Sequence, residues 1–293
     1  MLPPEIAKQI HLLDIRTNRV VDEITGGAYR SVFKGRGIEF DEVREYTPED
    51  DVRDIDWNVS ARMGSPYIKK YIEERELTVL LLVDVSASGA FGSAEKTKRR
   101  TAAELAALLA FSAGRNGDKV GLMLFSDRIE LYVPPKSGRR HTLRLIREML
   151  AFEPASPGTD IALALRETAQ MLKKKSVIFL ISDLISEESF EASLKILNRK
   201  HDSIALQIFD PVEHRWPCTA PVVVEDAETG QLVSFGGGTR DLKKLDRALD
   251  EQRAARREIC RRARVDLVEI ESGQDVLRPV VEFFSRRRER MSH

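Results

Sequence analysis

Asp84, Ser86 and Ser88 alternate along the run Asp84-Val85-Ser86-Ala87-Ser88, a carboxylate and two hydroxyls that one turn can aim at a single point. Oxygen donors of this kind suit a hard divalent cation, Mg²⁺ first, with Mn²⁺ or Ca²⁺ also admissible. The run closes a strand-like stretch, Leu77 to Val83. Oxygen-bearing residues close two later segments: Thr159, at the tip of the breaker-rich loop Ser156-Pro157-Gly158-Thr159-Asp160, and Asp183, after the apolar run Ser176 to Ile181. Ser88, Thr159 and Asp183 can also cap helices, and capping is compatible with ligation. Five oxygen side chains with no His or Cys among them argue for a hard ion rather than zinc.

The elements that must position these residues alternate along the chain. The pattern predicts a strand at 77–84, a helix at 95–113 ending at Gly114, and a hairpin of strands at 119–125 and 129–133. Helices at 139–150 and 160–173, a strand at 176–182, a helix at 187–199 and a strand at 203–209 follow. Such alternation implies an α/β fold with a mostly parallel sheet and helices on both faces. Strands of that sheet share one carboxyl edge, where ligands bind at the point of strand-order reversal. Between Glu213 and Arg240 a Pro-rich loop, two short apolar runs and the turn Glu228-Thr229-Gly230 predict a β-hairpin insertion. An Arg-rich helix at 240–263, a strand at 265–270 and a helix from Asp275 complete the pattern, with Arg286, Arg287, Arg288 and Arg290 suited to a helix C-terminus.

The series D-x-S-x-S, then Thr, then Asp resembles the metal-ion-dependent adhesion site of von Willebrand factor A domains, over residues 77 to 293. That resemblance implies a von Willebrand A-like, Rossmann-like fold. It also implies that Ser86, Ser88 and Thr159 contact the metal through hydroxyl oxygens, with Asp84 and Asp183 acting directly or through water.

The first 76 residues read as a separate N-terminal region. Residues 4–15 have helical periodicity, and a basic, glycine-punctuated stretch runs from Tyr29 to Gly37. It lacks the Lys-Ser/Thr of a phosphate-binding loop. The acidic segment from Glu39 to Trp57 carries Arg44, Asp50, Asp51, Asp54 and Asp56 and reads as a salt-bridged, turn-rich surface around buried Tyr46 and Trp57, in preference to a nuclease-like metal cluster. The series Gly35-Arg36-Gly37-Ile38-Glu39-Phe40, Arg44-Glu45-Tyr46, Asp50-Asp51, Arg53, Ile55-Asp56-Trp57 and Ser60-Ala61-Arg62 resembles the bacterial domain-of-unknown-function fifty-eight family, with Glu49 where the family commonly has glycine. In that family the series precedes a von Willebrand A-like domain, and members are associated with MoxR-type AAA+ ATPases.

The chain's 47 basic and 47 acidic residues cancel, so no global field draws nucleic acid or anionic lipid. Cys218 and Cys260 lack metal or disulfide spacing. The N-terminus has no secretory signal pattern and no stretch reaches the ~20 apolar residues of a membrane span, which makes a cytoplasmic protein the expectation. The resemblance implies a non-enzymatic, metal-dependent interaction module, an adaptor or assembly factor for a MoxR-type ATPase that would supply a Glu or Asp to the metal. Arg44, Asp50, Asp51, Asp56 and Trp57 are the candidate contact surface if the metal is not. The alternative is a phosphatase-like metal-dependent hydrolase with Asp84 as nucleophile, disfavoured because Ser86 stands where a general acid is required.

Overall fold

The computed structural model describes residues 38–292 apart from 49, 74–75, 94–95, 215–219 and 236–237. The expected helix at 4–15, the stretch Tyr29 to Gly37, Glu49, Cys218, Gly236 and Gly237 lie outside the described residues. Two compact units divide between Glu76 and Leu77.

In the first unit β1 (Ile38–Glu45) and β2 (Tyr67–Glu73) pair antiparallel, with an irregularity between Phe40 and Glu42. Between them lie a 3-10 turn (Val52–Asp54) and α1 (Trp57–Met63). Asp56 starts α1 by accepting the N–H groups of Asn58 (3.0 Å) and Val59 (3.3 Å), and Gly64 ends it at φ 79°. The expectation that Trp57 is buried is overturned: its relative exposure is 68%. It opens a helix with no buried residue, so no core there receives the indole. Tyr46 is half-buried.

The second unit is built on a six-stranded sheet in the order β10–β7–β6–β3–β4–β5: Asp266–Glu271, Asp202–Phe209, Val177–Ser182, Thr78–Asp84, Lys119–Phe125 and Ile129–Lys136. Every neighbouring pair is parallel except β4 and β5. β3 and β6 are apolar along nearly their whole length because helices cover both faces. On one face Leu80, Leu82, Ile178 and Leu180 pack with α4 (Ile161–Met171), α5 (Glu191–Lys200) and the Cys260 end of α7 (Thr239–Ala263). Alternate residues face the other way. There α2 (Lys98–Arg115) lies against the strands, and α8 (Leu277–Ser292) sets Phe284 edge-on to Phe179 at 6.4 Å. α3 (Arg139–Ala151) packs on α2, and α6 (Pro211–His214) is a single turn after β7.

The two short apolar runs of the insertion pair antiparallel as β8 (Val222–Glu225) and β9 (Leu232–Phe235). Three boundaries differ from expectation. α2 starts at Lys98, where Thr97 caps it, and α5 starts only at Glu191. β5 continues through Pro134 and Pro135, which an edge strand tolerates because one row of its N–H groups has no partner to lose. The α8 arginines act across the sheet: Arg287 pairs with Asp202 and Asp266, and Arg290 with Asp266. No helix among the described residues is long and apolar enough to cross a membrane.

Candidate metal centre

The chain leaves β3 for β4 on one side and later places β6 on the other, so the strand order reverses between β3 and β6. Asp84 ends β3 and Asp183 follows β6, which puts both carboxylates on the two sides of that crevice. Ser86 donates its N–H to Asp84 Oδ1 at 3.0 Å, and the Ser182 hydroxyl donates to Asp84 Oδ2 at 2.7 Å. The Ser86 and Ser88 hydroxyls are 3.1 Å apart, and Ser88 donates to Asp183 Oδ2 at 2.8 Å. Asp84, Ser86, Ser88 and Asp183 thus form one continuous hydrogen-bonded set. Leu184, buried with φ 59°, turns the chain so that its N–H reaches the Ser182 hydroxyl (3.0 Å) and that of Ile185 reaches Asp183 Oδ1 (3.1 Å).

Thr159 follows no strand: it sits in the loop between α3 and α4, because the helix α3 intervenes after β5. Backbone bonds bring that loop to the crevice: Ala87 N–H donates to Pro157 O and Asp160 N–H to Ser126 O, both at 2.9 Å. Glu130 Oε1 fixes the loop's start by accepting from the N–H groups of Ala155 and Ser156 (3.2 Å each) and from the Ser126 hydroxyl (2.7 Å). The Thr159 hydroxyl donates to Glu228 Oε1 at 2.7 Å.

Asp84 and Asp183 are only 9% and 7% exposed. Burial, and then the charge of Asp183, push the Asp84 carboxyl up to about 6. Lys98 meets this charge from the first residue of α2, with its ammonium 2.9 Å from Asp183 Oδ2 and 2.5 Å from Glu213 Oε1. Burial opposes the ammonium, but Asp183 and then Glu213 outweigh it and raise its pKa. Nearby, fully buried Asp210 ties three loops together, accepting from Ser93 N–H (2.8 Å), the Ser93 and Ser272 hydroxyls, and Val212 N–H.

Among the described residues no three His, Cys, Asp or Glu side chains are grouped to hold a metal ion. A cation at this crevice would therefore depend on hydroxyls as well as carboxylates. The donor set fits that requirement: all the donors are hard oxygens, and Asp84 is buried with a charge that Asp183 opposes. Sequence reasoning missed Ser182, Lys98, Glu213 and Glu228. Ser182 had a signal, its adjacency to Asp183, whereas Lys98 and Glu228 reach the site only through the fold.

In the first unit Arg44 grips Asp50 with both terminal nitrogens, at 2.9 and 2.6 Å, and Asp50 also accepts the N–H and hydroxyl of Thr47. Those bonds, the Arg44 side chain first, lower the Asp50 pKa to about 2. Asp51 accepts the Arg53 N–H, and Asp56 caps α1. Three of the five candidate contact residues are thus held in turns, while Arg44 and Trp57 keep substantial exposure.

An uncharacterized protein of Mycobacterium tuberculosis is 29% identical over 287 residues, covering 97% of this chain and 90% of that protein. Among solved structures, an aerotolerance-related membrane protein from Bacteroides fragilis matches at 15% identity, with a TM-score of 0.49, over 73% of this chain and 100% of that one. The VWA domain of SpRpn10 matches at 12% identity, with a TM-score of 0.38, over 71% and 95%. With the model of the family described as "Protein of unknown function DUF58" matching residues 42–258, most of the chain, this protein belongs to that family.

Proposed function

We propose that the chain is a cation-dependent protein-interaction module without turnover of its own, acting as an adaptor or assembly factor with a MoxR-type AAA+ ATPase. The observation that carries the reading is the hydrogen-bonded set Asp84–Ser86–Ser88–Asp183 at the switch point of the sheet. Ser86, Ser88 and Thr159 would hold a cation, preferably Mg²⁺, through their hydroxyls, with Asp84 and Asp183 directly or through water. A bound divalent cation supplies a charged point that a Glu or Asp of the partner can ligate. Phe91 and Ile185, 42% and 43% exposed, leave apolar surface for a partner on the two loops that carry Ser88 and Asp183. Ser86 stands where a phosphatase of that kind needs a general acid, which argues against Asp84 as a nucleophile. The choice of ATPase rests on the family association.

Titration calorimetry is expected to show Mg²⁺ and Mn²⁺ binding that Asp84→Ala abolishes while circular dichroism stays native. Equal binding by the variant rejects the site. Capture of the ATPase should fail in chelator. Capture that persists in chelator assigns the contact to the segment from Arg44 to Trp57.

A further inference from the structure

The turn joining β8 to β9 is shaped to present one side chain. Asp226 Oδ1 accepts the N–H groups of Glu228 (3.0 Å) and Thr229 (2.8 Å), and Gly230 closes the turn at φ 70°. From Asp226 to Gly230 only Glu228 is partly withdrawn from solvent. Its carboxylate accepts the hydroxyl of Thr159, the predicted ligand that does not join the other four. The strands behind the turn bury little, for Val223, Leu232 and Val233 are all largely exposed. A carboxylate contact, rather than apolar packing, is therefore what the tip of the hairpin offers the site.

Burial and the charges of Asp183, Asp226 and Glu187 make this an unfavourable place for a carboxylate, opposed by the Thr159 bond. Such a group gains most from a cation beside it. We propose that Glu228 is a carboxylate the chain supplies to its own site, holding at Thr159 the place that a partner's Glu or Asp would take. The hairpin then has to lift before an outside carboxylate can bind.

This inference rests on the metal-dependent reading, and its test separates the two. Mg²⁺ binding is measured by calorimetry for the full chain and for Glu228→Ala and Glu228→Gln. With Mg²⁺ saturating, trifluoroacetate serves as a monocarboxylate probe, titrated by fluorine NMR. Removing one charged hydrogen-bonded occupant is expected to tighten probe binding by roughly tenfold in Glu228→Ala. Glu228→Gln, which keeps an acceptor for Thr159 without the charge, should fall between. If wild type and both variants load Mg²⁺ and bind the probe equally, the self-occupancy idea fails alone. If none loads Mg²⁺, the metal-dependent reading fails and takes this inference with it. Substitution at an exposed turn leaves the core untouched, and unchanged melting temperatures would confirm that folding is not the cause.

Discussion

Lys98 is a buried cation that faces the candidate centre from the first residue of α2. Its side chain and that of Asp183 are only 4% and 5% exposed, so their ion pair is shielded from solvent. Removing one partner of such a pair leaves a buried charge uncompensated, which costs about 3–5 kcal/mol. Lys98→Met is therefore expected to lower the unfolding free energy of metal-free protein by about that amount, measured by urea denaturation. Mg²⁺ should restore part of the loss, because a cation at the crevice replaces the missing positive charge beside Asp183. A variant as stable as wild type without metal would show that Asp183 does not need the ammonium.

At the scale of elements, the β4–β5 pair shows how a local irregularity fixes the edge of the sheet that carries the site. The register shifts between Val120 and Leu122, opposite Pro134 and Pro135. Gly121 lies in the shift, where a Cβ would stand 2.8 Å from Pro135 Cγ and 3.0 Å from Pro135 N. A rigid ring and a backbone atom cannot step aside. Gly121→Ala is expected to destabilise by about 1–3 kcal/mol, the usual cost of overpacking, despite the better strand propensity of alanine. The check is a lower urea midpoint with an unchanged slope, and a neutral or raised midpoint would mean that the pair opens freely. Because Ser126, just after β4, accepts the Asp160 N–H and donates its hydroxyl to Glu130, which holds the start of the Thr159 loop, a slipped β4–β5 pair should also weaken Mg²⁺ binding.

For the whole molecule, Cys260 reports on the integrity of the second unit. It is 1% exposed in the core cluster where α7 meets α4 and α5, and burial pushes its thiol up to about 11. Little thiolate exists at neutral pH and no reagent reaches it without opening. In a Cys218→Ser background, alkylation of native protein should be slowed by on the order of a thousandfold relative to unfolded chain. Its rate should rise with urea in step with global unfolding, and rapid native labelling would mean that α7 opens on its own. Much of this fold was legible in the sequence. Buried strands announce themselves as unbroken apolar runs and helices by their period, so the order of elements after Leu77, and the placing of Asp84 and Asp183 at strand ends, followed from local pattern. The paired charged strands β1 and β2 carried no such signal, and the exposure of Trp57 depended on α1 having no core beneath it. The placement of Asp84, Ser86, Ser88 and Asp183 beside strand ends was readable from neighbouring residues, because strand ends and turns are encoded locally. The meeting of Lys98 with Asp183, 85 residues away, and of Glu228 with Thr159, 69 residues away, comes from the long-range fold. Those encounters are set by strand order and by where a hairpin folds back, quantities that no local periodicity contains.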